Sequence, residues 1–83
     1  MSGRILIVED EAAISEMIAL SLARAGYAYD IAEDADQALA SITRQPPLLI
    51  LLDWMLPGMS GIDLARRLKR EDATRAIPVI LLT

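Results

Sequence analysis

The chain has 83 residues, 54 % of them apolar, which suits one small folded domain and argues against disorder. Eight basic against twelve acidic residues leave a net charge of −4, a poor balance for binding nucleic acid, because neutralising phosphates takes clustered Lys and Arg. With neither cysteine nor histidine, disulfides, thiolate metal sites and imidazole catalysis are excluded, and the lack of cysteine suits a cytoplasmic location.

The first element is the β-branched run Ile5-Leu6-Ile7-Val8, a strand by composition. It follows Arg4 directly, without the longer apolar stretch and cleavage site of a signal peptide. Apolar runs of about five residues are also far below the ~20 that span a bilayer. After Glu9-Asp10-Glu11, the recurrence of Ile14, Met17, Ile18, Leu22 and Ala25 at helical spacing predicts a helix with one apolar face. Gly26 is its expected stop, since glycine enters the left-handed region without a Cβ penalty.

Tyr27 to Ala32 reads as a second, more polar strand. Asp34 with Gln37 three residues on forms a variant capping box that opens a helix through Ala38, Leu39 and Ile42. Pro46-Pro47 ends that element, and Leu48 to Leu52 follows as a third strand. Ser60 with Asp63 marks another helix start, with Leu64, Ala65 and Leu68 turned inward. Its basic run, Arg66-Arg67-Leu68-Lys69-Arg70, is read as a solvated helix face. Ile77 to Leu82 is the fourth strand, with Pro78 near its start, where a missing N–H is tolerated.

The order β-α-β-α-β-α-β, with three of its four strands continuously apolar, predicts an α/β fold: a doubly wound parallel sheet covered by helices on both faces. The fourth strand is hydrophobic and would lie exposed at an edge, where it could pair with a second copy and make a homodimer.

Ligands of such sheets bind outside the carboxyl ends of the strands, where the strand order reverses. Val8 runs into Glu9-Asp10 there, and Leu52 into Asp53. If the first and third strands are neighbours, these carboxylates meet in one crevice, where they repel unless a hard divalent cation such as Mg²⁺ joins them. An aspartate beside such an ion can attack phosphorus and form an aspartyl-phosphate. Simpler roles stand beside this one: Glu9, Asp10 and Glu11 could favour the positive end of the first helix, and Asp53 could close an Asx turn. A phosphatase with an aspartate nucleophile would place a second acid two residues on, where this chain has Met55. A dinucleotide site is not expected, because no G-x-G-x-x-G follows the first strand.

At these residues the chain resembles the receiver domain of bacterial two-component response regulators. The matching pieces are ILIVEDE (Ile5 to Glu11), LLDWMLPGMSG (Leu51 to Gly61) and IPVILLT (Ile77 to Thr83), and together they are similar to the OmpR/PhoB subfamily. The resemblance implies a flavodoxin-like (CheY-like) sheet. It makes Asp53 the phospho-acceptor for a sensor histidine kinase, a substrate that helps catalyse its own phosphorylation rather than a turnover enzyme. It implies Mg²⁺ held by Glu9, Asp10, Asp53 and the backbone carbonyl of Met55, shaped by Pro57 and Gly58, with Thr83 as the switch hydroxyl and Trp54 at the mouth of the site. It implies, too, that a whole receiver continues with a helix, a fifth strand ending in a lysine and a last helix. Residues 1–83 are therefore expected to be the N-terminal part of one, with DNA binding left to a separate C-terminal domain. Lys69, inside a helix, does not match that lysine. The other expectation is a non-phosphorylating interaction fragment that dimerises through its exposed edge.

Overall fold

A computed structural model describes residues 3–82 of the chain. The elements are β1 (Arg4–Val8), α1 (Ala12–Arg24), β2 (Ala28–Ala32), α2 (Ala35–Arg44), β3 (Leu49–Asp53), α3 (Gly61–Arg70) and β4 (Val79–Leu82). All strand pairs are parallel, and the sheet order is β2-β1-β3-β4. The chain builds outward from β1 to β2, then returns to β3 on the other side, so the reversal point falls between β1 and β3.

Strand alternation divides the core into two faces. Leu6 and Val8 of β1 and Ile50 and Leu52 of β3 point to one face. There they pack against Ala35, Ala38 and Ile42 of α2 and Leu64 and Leu68 of α3, all buried. Ile5 and Ile7 point the other way and are equally buried, under α1, which packs on β1 and β2. Burial on both faces is why β1 carries no polar alternation.

Four sequence expectations need correction, the first being the third strand, read as Leu48 to Leu52 and found at Leu49–Asp53. The helical period in α1 favoured Met17, which is 63 % exposed, and Ala25, which caps the helix in the open. The residues that α1 itself buries are Ser15 and Ala19, four apart, while Ile14, Ile18 and Leu22 are only half-buried. Small side chains let the helix lie close on the sheet, and the larger ones flank the contact. The second strand starts at Ala28 rather than Tyr27, because the Tyr27 N–H is committed to the Leu22 carbonyl at the helix end. The fourth starts at Val79 rather than Ile77, because the Ile77 N–H closes a turn onto Thr74.

Both predicted helix starts are present. Asp34 accepts the Gln37 N–H at 2.8 Å, and the Gln37 side chain returns to the Glu33 N–H at 2.9 Å. Ser60 accepts the Asp63 N–H at 3.2 Å. Gly26, at φ +88°, ends α1 in the left-handed region, as expected. β4 lies at the sheet edge, with Ile80 and Leu81 about half exposed on its two faces.

Candidate functional site

Register assembles the site. Val8 pairs with Leu52 across β1 and β3, so the next residues, Glu9 just past β1 and Asp53 at the end of β3, stand side by side. Asp53 is itself the last residue of β3, paired with Leu82 of β4, one position further into the ladder than the sequence suggested. One carboxylate oxygen from each of Glu9, Asp10 and Asp53 lies within 4.8 Å of the others. The condition set by the sequence, that the first and third strands be neighbours, is met.

The three acids differ in setting. Glu9 is 3 % exposed; its N–H extends the β1–β2 ladder to the Ala32 carbonyl at 3.0 Å, which holds the residue rigidly. Its carboxylate accepts the Glu11 N–H at 3.0 Å. Burial pushes the Glu9 carboxyl above the usual range, and the neighbouring Asp53 and Asp10 push it the same way; the Glu11 N–H opposes them. Asp10 is exposed and Asp53 half-buried. None of the ion pairs among the described residues involves any of the three.

The simpler roles fare differently. No acid lies in the first turn of α1, and the N-cap residue Glu11 makes no side-chain capping bond. Favouring that helix end therefore explains little of Glu9 or Asp10. The Asx turn is real, for Asp53 Oδ1 accepts the Met55 N–H at 3.2 Å. It coexists with the cluster, and it fixes the loop residue beside the carboxylate.

A crevice of about 570 Å³ opens over the acids, walled by Ile14 and Ile18 of α1, by Leu82, and by Trp54 and Met55. The α1 residues and Leu82 carry no signal of this role in the sequence, since at their spacing they read as ordinary core. Trp54 stands half exposed at the mouth. No lysine or arginine lines the crevice among the described residues. Lys69 lies elsewhere, its Nζ donating to the carbonyls of Arg75 and Ile77 at 3.3 and 3.2 Å. Thr83 falls outside the described residues.

Comparison with known proteins places the chain whose sheet carries this crevice. Residues 5–83 match the response regulator receiver domain family. The chain belongs to that family. Among curated relatives, the phosphate regulon transcriptional regulatory protein PhoB of Pseudomonas aeruginosa is 62 % identical over 79 residues, 95 % of this chain and 34 % of the relative. The receiver is accordingly of the OmpR/PhoB type, and it spans about a third of the length of the curated relatives it matches. Among solved structures, the N-terminal domain of a response regulator receiver protein from Methanoculleus marisnigri superposes with a TM-score of 0.94 at 37 % identity, covering 98 % of this chain and 66 % of that one. The receiver domain of a sensor histidine kinase from Pseudomonas aeruginosa, solved with a magnesium ion coordinated in its active-site cleft, gives a TM-score of 0.91 at 32 % identity over 100 % of this chain and 68 % of that one. The parallel α/β sheet expected from the β-α order, and the receiver fold that the resemblance implied, are the fold observed. No described helix is long and apolar enough to cross a membrane.

Proposed function

We propose that this receiver module accepts a phosphoryl group on Asp53 from a phosphohistidine of a sensor kinase, and that the modification switches a transcriptional regulator in the cytoplasm. The observation that carries the reading is the meeting of three carboxylates, their oxygens within 4.8 Å, with no cationic side chain paired to them among the described residues. An all-oxygen, acid-rich donor set of this kind fits a hard divalent cation and fits no soft metal. Glu9, Asp10 and Asp53, with the Met55 carbonyl, would hold Mg²⁺. When bound, the ion supplies neutralisation of the charge gathered at the phosphoryl oxygens. The magnesium-bearing kinase receiver among the structural relatives supports the choice of metal.

The chain's own groups do the rest. The Met55 N–H, donating to Oδ1, orients the Asp53 carboxylate at the crevice. A carboxylate oxygen of Asp53 attacks phosphorus and a P–O bond forms. The P–N bond of the phosphohistidine breaks, and its electron pair leaves with the imidazole. The receiver resemblance gives Thr83, outside the described residues, the role of switch hydroxyl. Met55 stands where a hydrolase would need a second acid, so the protein acts as phospho-acceptor rather than turnover enzyme. With a net charge of −4 this module is itself a poor binder of DNA, and DNA contact would belong to a separate domain.

Incubating the chain with acetyl phosphate and Mg²⁺ and weighing it intact tests this. One phosphoryl group is expected on the wild type and none on Asp53→Ala. No gain, or a gain that survives the substitution, contradicts the reading.

A second reading draws on the half-exposed Ile80 and Leu81 of edge strand β4. The chain could associate as a homodimer through that edge without phosphoryl chemistry. A monodisperse monomer in light scattering would rule it out.

A further inference from the structure

Gly61 is the first residue of α3 and is buried, yet its backbone does not require glycine; among the described residues only Gly26 and Gly58 have positive φ. Space requires it instead. A Cβ at Gly61 would collide with the Asp53 carbonyl oxygen and lie 2.5 Å from the Trp54 Cα. Both obstacles are main chain, so no side chain can rotate away. The Gly61 N–H donates to the Trp54 carbonyl at 3.0 Å. The start of α3 therefore sits directly on the peptide that joins the acidic residue Asp53 to Trp54, and it closes the base of the 54–60 loop.

We propose that Gly61 is a positioning residue of the acidic site. By lacking a side chain it lets α3 press on the Asp53–Trp54 peptide, and so sets the Asp53 carboxylate and the Met55 carbonyl at the spacing a divalent cation needs. The inference rests on the receiver reading of the site. A glycine that merely packs a helix start would, when replaced, cost stability and nothing else. Here the added Cβ must displace the strand end or the loop, both of which carry the proposed ligands. Losses of the size seen when groups supporting metal ligands are removed, about ten- to a hundredfold in affinity, are expected. Coupling is reciprocal, so bound metal must also tighten the Gly61 contact.

The test titrates Mg²⁺ into the wild-type chain, Gly61→Ala and Thr74→Val, following the fluorescence of Trp54, the chain's single tryptophan at the crevice mouth. Thr74 lies beyond the far end of α3, where its buried hydroxyl bonds the Leu68 carbonyl, and it serves as the destabilised control. The expected result is saturable binding by wild type and by Thr74→Val with similar affinity, and binding by Gly61→Ala about ten- to a hundredfold weaker. Equal binding by all three, or equal weakening in both variants, overturns the inference and leaves the receiver reading intact. No binding by the wild type overturns both. If Gly61→Ala does not fold, exchange of the Gly61 amide in the wild type decides: Mg²⁺ must slow it, and an unchanged rate in the loaded protein overturns the proposal.

Discussion

Glu9 and Asp53 leave adjacent parallel strands one residue beyond the in-register pair Val8–Leu52, and each accepts the main-chain N–H two residues further on. The same local turn thus occurs at both strand ends and points both carboxylates into one crevice. The arrangement places like charges together, with Glu9 almost wholly out of water.

The cost of that arrangement shows in its pH dependence. Because burial and neighbouring acids raise the folded Glu9 carboxyl above its ordinary value of 4.5, the folded state binds more protons than the unfolded state above that pH. The stability associated with protonated Glu9 is complete below the ordinary value and is lost as pH rises through the raised one. Without metal, Glu9→Gln, which keeps an acceptor for the Glu11 N–H, should therefore melt at a higher temperature than wild type near neutral pH. The two should converge in acid. Thermal melts across pH in chelator check this; a Glu9→Gln that melts lower at neutral pH contradicts it.

Metal should act in the opposite direction. A ligand bound only by the folded state stabilises by about 2.7 kcal/mol at a hundred times its dissociation constant. For a domain of this size that is an increase in Tm of roughly 10 °C or more. Mg²⁺ should raise the Tm of the wild type near neutral pH, raise it less as Glu9 protonates, and leave Asp10→Asn much less stabilised. Chelator should return every protein to its metal-free value. Calorimetry with and without Mg²⁺ measures each arm.

How far the sequence showed all this depends on the residue. The strands were visible because buried parallel strands need uninterrupted apolar runs, and the starts of α2 and α3 because Asp34 and Ser60 carry acceptors that fit a helix N-terminus. The acids stood out because Asp53 ends such a run without a partner of opposite charge nearby in sequence. The face of α1 was misread, since period counting weights Met17 above Ser15 and Ala19, while close packing on a sheet selects small side chains. Gly61 was hidden for a related reason: nothing in the chain order tells that a helix start will touch the end of the preceding strand. Thr74 was missed too, being one hydroxyl in a polar turn.

That threonine carries a prediction. Its hydroxyl, 8 % exposed with its residue, donates to the Leu68 carbonyl at 2.6 Å and ties the end of α3 to the turn before β4. Thr74→Val keeps the shape and strands a buried acceptor, which costs about 1–3 kcal/mol. Denaturant unfolding should show a lower midpoint with an unchanged slope. Phosphorylation of Asp53 by acetyl phosphate should be unaffected under conditions where the variant is folded.

The Arg4–Asp30 pair between β1 and β2 should respond to acid in the ordinary sense. Arg4 reaches Asp30 through two bonds of 2.6 and 2.8 Å, and its guanidinium holds the Asp30 carboxyl below its usual value of 3.8. The stability this gives is present above the unfolded value and is lost as pH falls through the lowered one. Asp30→Asn should melt below wild type at neutral pH, and the gap should close in strong acid. A gap that persists there would assign the loss to packing instead.

Asp53, the proposed phospho-acceptor, would carry the phosphoryl group as an acyl phosphate. Borohydride reduces an acyl phosphate to an alcohol, converting a phosphorylated aspartate to homoserine. The decisive measurement is peptide mapping of the chain after acetyl phosphate, Mg²⁺ and borohydride. Homoserine at position 53 alone, absent when chelator replaces Mg²⁺, is the predicted result; conversion at Glu9 or Asp10, or at no residue, would contradict it.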